Sequence, residues 1–194
     1  MTLLSPLSDI HKIGIYGNIE NKAESNLIEI SEETSKSIYQ ITKFKNSDSS
    51  LTNLSIRDLE ISNNPMIVKS NLKTRILWTG PNQWLIVSDD KILEDELKIF
   101  DSNNFAVTDL SHTRAIINIK GENSLEVLKK GCPYNFNNLK KNMSINSVYH
   151  SIAVTIDFIE ENPYTMRIMC LRSFGESLYH SITDACLEYG YKAI

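Results

Sequence analysis

The sequence predicts an α+β protein built from two ferredoxin-like βαββα halves with antiparallel sheets, and three observations predict it. Two β-prone runs, Thr74-Arg75-Ile76-Leu77-Trp78 and Gln83-Trp84-Leu85-Ile86-Val87, are separated by Gly80-Pro81-Asn82, which is a hairpin signal. A second pair, Ser147 to Ile159 and Tyr164 to Leu171, brackets a turn at Glu160 to Pro163. After each hairpin comes a stretch with apolar residues at every third or fourth position, so the order strand, helix, hairpin, helix occurs twice. The repeat lies in the pattern and not in residue identity. It divides the chain into an N-terminal half, 1–104, with a variable opening segment, and a C-terminal half, 105–194.

In the first half, Ile10, Ile13 and Ile15 alternate weakly before Asn, Glu and Ser take over, and residues 1–36 read as a segment that wraps a surface. Ile38, Gln40 and Ile41 to Phe44 read as a strand, and Leu51 through Leu59 has helical spacing. Beyond the hairpin, Asp90 precedes Ile92, Leu93, Leu97 and Phe100, an apolar stripe of helical period that stops at Asn103-Asn104. In the second half, Phe105-Ala106-Val107 leads through Asp109-Leu110-Ser111-His112 into a strand from Arg114 to Ile119. Gly121 and Asn123 then open a short helix carrying Leu125 and Leu128, and Gly131 before Cys132-Pro133 suits a left-handed C-terminal cap. Ser173-Phe174-Gly175-Glu176 matches the S-x-x-E capping box, and Phe174, Leu178, Ile182, Cys186 and Tyr189 step along one face until Gly190.

The composition narrows the function classes. The 194 residues carry 20 Lys and Arg against 24 Asp and Glu, a formal charge of −4, with 41% hydrophobic and 23% charged residues, which suffices for a packed core. A pI near 5.6 argues against binding to nucleic acid or an anionic membrane, both of which need a basic face. No apolar run approaches the roughly 18 to 20 residues of a bilayer span, and Met1-Thr2-Leu3-Leu4-Ser5-Pro6-Leu7 lacks the charged start of a secretory signal. A cytoplasmic location is expected. Cys132, Cys170 and Cys186 have no C-x-x-C spacing and read as reduced thiols, not as disulfides or zinc ligands.

No dinucleotide, phosphate-loop, zinc-protease or nucleophile-elbow motif occurs, and seven glycines leave little material for a nucleotide-cradling loop. His11, His112, His150 and His180 show no close pairing. Three constellations remain. In the first, Trp78 and Trp84 flank a tight turn, either as core fillers whose N–H groups find partners or as an aromatic anchor for another protein. In the second, Asp109, Ser111 and His112 share the residue types of a hydrolytic triad, but neighbours on a strand alternate faces, so they read as a turn satisfying local amides. Arg114, which follows, needs solvent or a carboxylate, with Asp109 nearest in sequence. In the third, Cys132 lies near the negative end of a helix, where a thiol is not activated.

Three stretches in order, Leu77 to Asp90 (LWTGPNQWLIVSDD), Asp109 to Phe136 (DLSHTRAIINIKGENSLEVLKKGCPYNF) and Leu171 to Gly190 (LRSFGESLYHSITDACLEYG), resemble the gamma subunits of heterotetrameric sarcosine oxidases. Ser5-Pro6-Leu7 also looks like that family's opening. The resemblance implies a fold similar to the folate-binding domain of glycine-cleavage aminomethyltransferases. It also implies a place in a complex that demethylates sarcosine to glycine, passes the one-carbon unit to tetrahydrofolate and forms hydrogen peroxide. The alpha, beta and delta subunits would be its partners and would hold FAD, FMN, NAD, tetrahydrofolate and zinc, with no cofactor bound by this chain. No catalytic, cofactor-binding or metal-binding residue is carried over. Trp78, Trp84, Asp109, Ser111, His112, Arg114 and Arg172 carry over as family-signature or partner-interface candidates, with His112 expected at or near a subunit contact. A closely similar subunit occurs in N-methylglutamate dehydrogenase, which leaves the amine open. The other alternative is a free folate-binding module, which needs a carboxylate beside a stacked pterin; none stands out in the sequence.

Overall fold

A computed structural model describes residues 5–52 and 54–194. Residues 1–4, which begin the opening read as carrying no secretory signal, and Asn53, inside the stretch read as a helix from Leu51 to Leu59, lie outside the described residues. Among the described residues the strands are β1 (Gly14–Tyr16), β2 (Ile28–Glu32), β3 (Ser37–Lys43), β4 (Ser55–Ile56), β5 (Leu59–Glu60), β6 (Val68–Ser70), β7 (Thr74–Gly80), β8 (Gln83–Ser88), β9 (Phe105–Asp109), β10 (Arg114–Lys120), β11 (Met143–Tyr149), β12 (Ile152–Glu161), β13 (Tyr164–Leu171) and β14 (Tyr191–Ala193). The helices are α1 (Glu94–Leu97), α2 (Ser124–Gly131) and α3 (Gly175–Cys186). The fold is therefore α+β with mostly antiparallel sheets and few helices.

The chain forms two compact units that do not follow a cut at residue 104. One unit takes the residues up to Thr34, Thr113–Lys141 and Ile145–Ile194; the other takes Ser35–His112 and Asn142–Ser144. Strand pairing explains the difference. β9 lies beside β3, with Ile41 opposite Val107, so residues 105–109 belong with the strands of the first hairpin. β2 pairs antiparallel with β10 and parallel with β14, so the early residues belong to the other sheet. The segment read as wrapping a surface thus supplies an interior strand, with Ile28 and Ile30 buried. Its five-residue alternation is too short to stand out among polar neighbours.

The first unit holds a seven-stranded sheet in the order β1-β14-β2-β10-β13-β12-β11. Ala115, Ile117 and Ile119 alternate along β10 and are fully buried on one face, and Ile116 on the other face is buried as well. The apolar stripe of α3 buries Leu178, Ile182 and Cys186 as expected, but Phe174 is 48% exposed. The capping box does not form. Arg172–Phe174 makes a 3₁₀ turn, Phe174 is the N-cap residue, and no side chain caps the helix. Gly131 is not a left-handed cap either. It is the last residue of α2, and a Cβ there would stand 2.7 Å from the Tyr149 ring, so close packing is what demands glycine. Gly190 does take a positive φ, +73°, beyond α3. The run from Ser147 to Ile159 is broken into β11 and β12 by His150 and Ser151, both at positive φ.

The second unit holds a five-stranded antiparallel sheet in the order β6-β7-β8-β3-β9 and the small hairpin β4–β5. The stretch read as a helix from Leu51 is this hairpin. Arg57 and Asp58 form its two-residue turn at φ +53° and +62°, the conformation that matches hairpin twist. Ile56 and Leu59 enter the same core as Ile41, Ile76, Trp84 and Phe100, so the helical spacing reflected a shared destination and not a helix. The Arg57 side chain anchors the turn. Its Nε and Nη2 donate to Glu96 at 2.6 and 3.0 Å, Nη1 donates to Ser88 Oγ at 2.6 Å, and Nη2 also donates to the Lys91 carbonyl at 2.9 Å. The Ile92 to Phe100 stripe buries Ile92 and Phe100 but leaves Leu93 exposed, and only Glu94–Leu97 is helical.

Leu178→Ala is expected to cost about 2–5 kcal/mol, because the side chain is fully buried. Ser173→Ala, at an exposed position that caps nothing, should fall within about 0.5 kcal/mol of the parent chain. Urea denaturation of the two variants checks the ranking.

Candidate functional site

The tryptophan hairpin places Trp78 directly opposite Trp84 on β7 and β8, with Asn82 at φ +59° in the turn. Trp84 is 1% exposed and donates Nε1–H to the Ser62 carbonyl at 2.7 Å. Trp78 is partly buried and packs on the same core. Trp84 therefore fills the interior with its polar atom satisfied.

At the Asp109 junction, Asp109 Oδ1 accepts from the Ser111 amide at 2.8 Å and from the Ser111 hydroxyl at 2.6 Å. Ser111 Oγ in turn accepts from the Ile38 amide at 2.9 Å, which ties the end of β9 to β3. Burial pushes the Asp109 carboxyl upward. The two bonds from Ser111, the His112 charge and the Tyr39 hydroxyl outweigh it and hold the group below the usual carboxylate range. Burial, followed by the charge of Asp109, raises Tyr39. The Ser111 hydroxyl is occupied by Asp109 and backbone, while His112 is exposed, so the three do not form a Ser-His-Asp relay.

Arg114 begins β10, in the other unit from Asp109. Asp109 is not its partner; its Nη1 donates to Thr113 Oγ1 at 3.2 Å. Asp109 is committed to Ser111 and Tyr39. Arg172 lies in the turn before α3, where its amide donates to the Thr113 carbonyl at 2.8 Å.

Sequence reasoning missed a buried charge network on the seven-stranded sheet. Asn118, Arg167 and Asp157 stand in register across β10, β13 and β12. Arg167, 6% exposed, donates to Glu33 from Nε at 2.8 Å and from Nη2 at 3.1 Å. Its Nη1 lies 3.7 Å from Asp157, which is fully buried, and Asn118 Nδ2 donates to Glu33 at 2.7 Å. The signal available was one charge inside each of two apolar strands. The network holds one cation between two carboxylates and contains no nucleophile.

The remaining reactive groups are subdued. The three cysteines are free and buried; burial raises Cys170 to about 11 and Cys186 to about 12, which keeps both as thiols at neutral pH. Among the described residues, no group of three or more His, Cys, Asp or Glu is placed to hold a metal. No helix among them is long and apolar enough to cross a membrane. One open cleft of about 500 Å³ is lined by His180, Thr183, Asp184 and Tyr191, and another of about 630 Å³ by Lys43, Ser50, Glu60 and Lys69. Neither includes a residue of the charge network or of the Asp109 junction.

No family model matches the chain. It is 27% identical to sarcosine oxidase subunit gamma of Corynebacterium sp. (strain U-96) over 120 residues, which is 60% of this chain and 58% of that relative. The matched stretch thus spans less than two thirds of the relative's length. In fold the chain is similar to a chain of the heterotetrameric sarcosine oxidase from Corynebacterium sp. U-96 in complex with pyrrole 2-carboxylate. The TM-score is 0.81 at 19% identity, over 96% of this chain and 95% of that one. It is also similar to the glycine cleavage system aminomethyltransferase T from Bartonella henselae, with a TM-score of 0.61 at 10% identity, over 93% of this chain and 57% of that one. The likeness to a sarcosine oxidase gamma subunit is one of sequence, and the likenesses to a chain of heterotetrameric sarcosine oxidase and to an aminomethyltransferase are ones of fold.

Two outcomes follow from the site geometry. Because its folded pKa is depressed, Asp109 contributes stability above the ordinary carboxylate pKa of about 3.9 and loses it as pH falls through the folded value. Carboxyl-carbon NMR titration should place Asp109 below that value, and Ser111→Ala should move it upward. Arg167→Met, which removes the cation that faces fully buried Asp157 and partly buried Glu33, should cost about 3–5 kcal/mol in urea denaturation.

Proposed function

We propose that this chain is the gamma subunit of a heterotetrameric sarcosine oxidase and acts as a structural subunit without a catalytic residue of its own. The observation that carries the reading is the fold likeness, which extends over 96% of this chain and 95% of the similar one, joined to 27% identity with a gamma subunit. On this reading the complex oxidatively demethylates sarcosine to glycine, with tetrahydrofolate accepting the one-carbon unit and oxygen reduced to hydrogen peroxide. The alpha, beta and delta subunits hold FAD, FMN, NAD, tetrahydrofolate and zinc. Trp78, Trp84, Asp109, Ser111, His112, Arg114 and Arg172 serve the fold or the contact with those subunits, and His112, exposed on its turn, is available for a contact.

The residues of this chain support a non-catalytic role. The two carboxylates of the charge network, partly buried Glu33 and fully buried Asp157, both face Arg167. Burial holds the Cys170 and Cys186 thiols protonated.

Purified alone, the chain should be colourless and form no hydrogen peroxide from sarcosine. Co-expressed with alpha, beta and delta subunits, it should elute in one particle that oxidises sarcosine, and N-methylglutamate as the comparison substrate tests which amine is used. Elution apart from the other subunits at physiological salt, or flavin absorbance retained by the isolated chain after gel filtration, would overturn the proposal.

A further inference from the structure

Arg114 differs from the other deeply placed arginines. Arg57 holds Glu96 and Arg167 holds Glu33, each through two nitrogens. Arg114 is partly buried, yet its hydrogen bond is to the neutral Thr113 hydroxyl at 3.2 Å, and none of the ion pairs among the described residues includes it. Burial lowers its pKa, and the opposing influence of the neighbouring Cys170 does not make up the loss of solvent. A partly desolvated guanidinium of this kind is a cost to the isolated fold.

The surroundings are apolar and open. Leu171 stands directly opposite Arg114 across β10 and β13 and is 49% exposed. Phe174, which helical spacing assigned to the core, is 48% exposed at the end of the adjoining 3₁₀ turn. That turn is fastened to the β10 end by the Arg172 amide donating to the Thr113 carbonyl at 2.8 Å, so these side chains are displayed from ordered backbone. An arginine opposite an exposed leucine, with an exposed aromatic on the adjoining turn, has the composition of an interface centre, where a carboxylate can be desolvated against the guanidinium and apolar groups exclude water around it.

We propose that Arg114, Leu171 and Phe174 form a docking surface for a partner subunit that presents an acidic side chain flanked by an apolar one. The carboxylate accepts from the Arg114 guanidinium, and the apolar group covers Leu171 and Phe174. The charge selects the occupant: a cation lacking a counter-charge within its own fold is completed by an anion from outside it. The proposal rests on the subunit reading above and assigns it a contact.

The test uses the full chain titrated against an assembly of sarcosine oxidase alpha, beta and delta subunits, with unfolding of the isolated chain measured in parallel. Arg114→Leu should weaken assembly by about 30-fold or more, as loss of one member of a desolvated charge pair does, and Phe174→Ser by about tenfold. The isolated Arg114→Leu chain should melt at the same temperature as the parent or higher, a result that a merely structural arginine would not give. If the parent chain assembles and both variants assemble equally well, the docking surface is overturned while the subunit reading stands. If the parent chain fails to assemble, the subunit reading falls, and the melting temperature decides the surface: a lower value for Arg114→Leu overturns it. A homodimer of the isolated chain that Arg114→Leu dissolves would assign the surface to self-association and overturn the proposal as well.

Discussion

The Arg167 guanidinium, almost wholly removed from solvent, is shared between Glu33 and Asp157 and constrains four of the seven strands in its sheet. Taking three charges out of water costs several kcal/mol each, and only close pairing offsets it. That pairing exists in one arrangement. β13 must stand beside β10 so that Arg167 meets Asn118, β12 must lie in the register that sets Asp157 opposite Arg167, and the chain leaving β2 must turn so that Glu33 reaches both Arg167 and Asn118. Apolar residues alone would tolerate a slipped strand more readily, because a shift by two residues restores the same faces.

The second unit uses an arginine in a different way. Arg57 sits at the tip of the β4–β5 hairpin and reaches Ser88 and Glu96, joining a two-residue turn to the end of β8 and to α1. The hairpin is too short to be stable by itself, and the Arg57 bonds together with burial of Ile56 and Leu59 hold it on the core. In both units, then, a guanidinium with a bidentate carboxylate partner fixes local geometry that hydrophobic burial leaves loose.

Against these two, the Asp109 junction and Arg114 commit their polar groups differently. Asp109 and Ser111 are consumed by the backbone at the end of β9. Trp84 is consumed by the core. Arg114 is left with one weak neutral partner beside exposed Leu171 and Phe174. A residue that costs the isolated fold stability is explained most directly by a use outside that fold.

The residue order by itself determined the α+β class, the two principal hairpins, the apolar face of α3 with Leu178 and Ile182, and the turn at Asp109 and Ser111, because each depends on contacts between residues close in sequence. Its stretches of resemblance also pointed to the likeness to a sarcosine oxidase gamma subunit and to the fold likeness found by comparison. It misplaced the helix at Leu51–Leu59 and the exposure of Phe174, since an apolar residue at helical spacing reports that something is buried and not by which route. Tertiary structure alone decided which strands share a sheet: β2 joins β10 and β14 from opposite ends of the chain, and no local signal carries that pairing. It also decided the charge network. Counting outward from the turn between Glu161 and Tyr164 sets Phe158, not Asp157, opposite Arg167; the bulge between Phe158 and Glu160 adds one residue to β12 and brings the aspartate into register, where a buried guanidinium requires it.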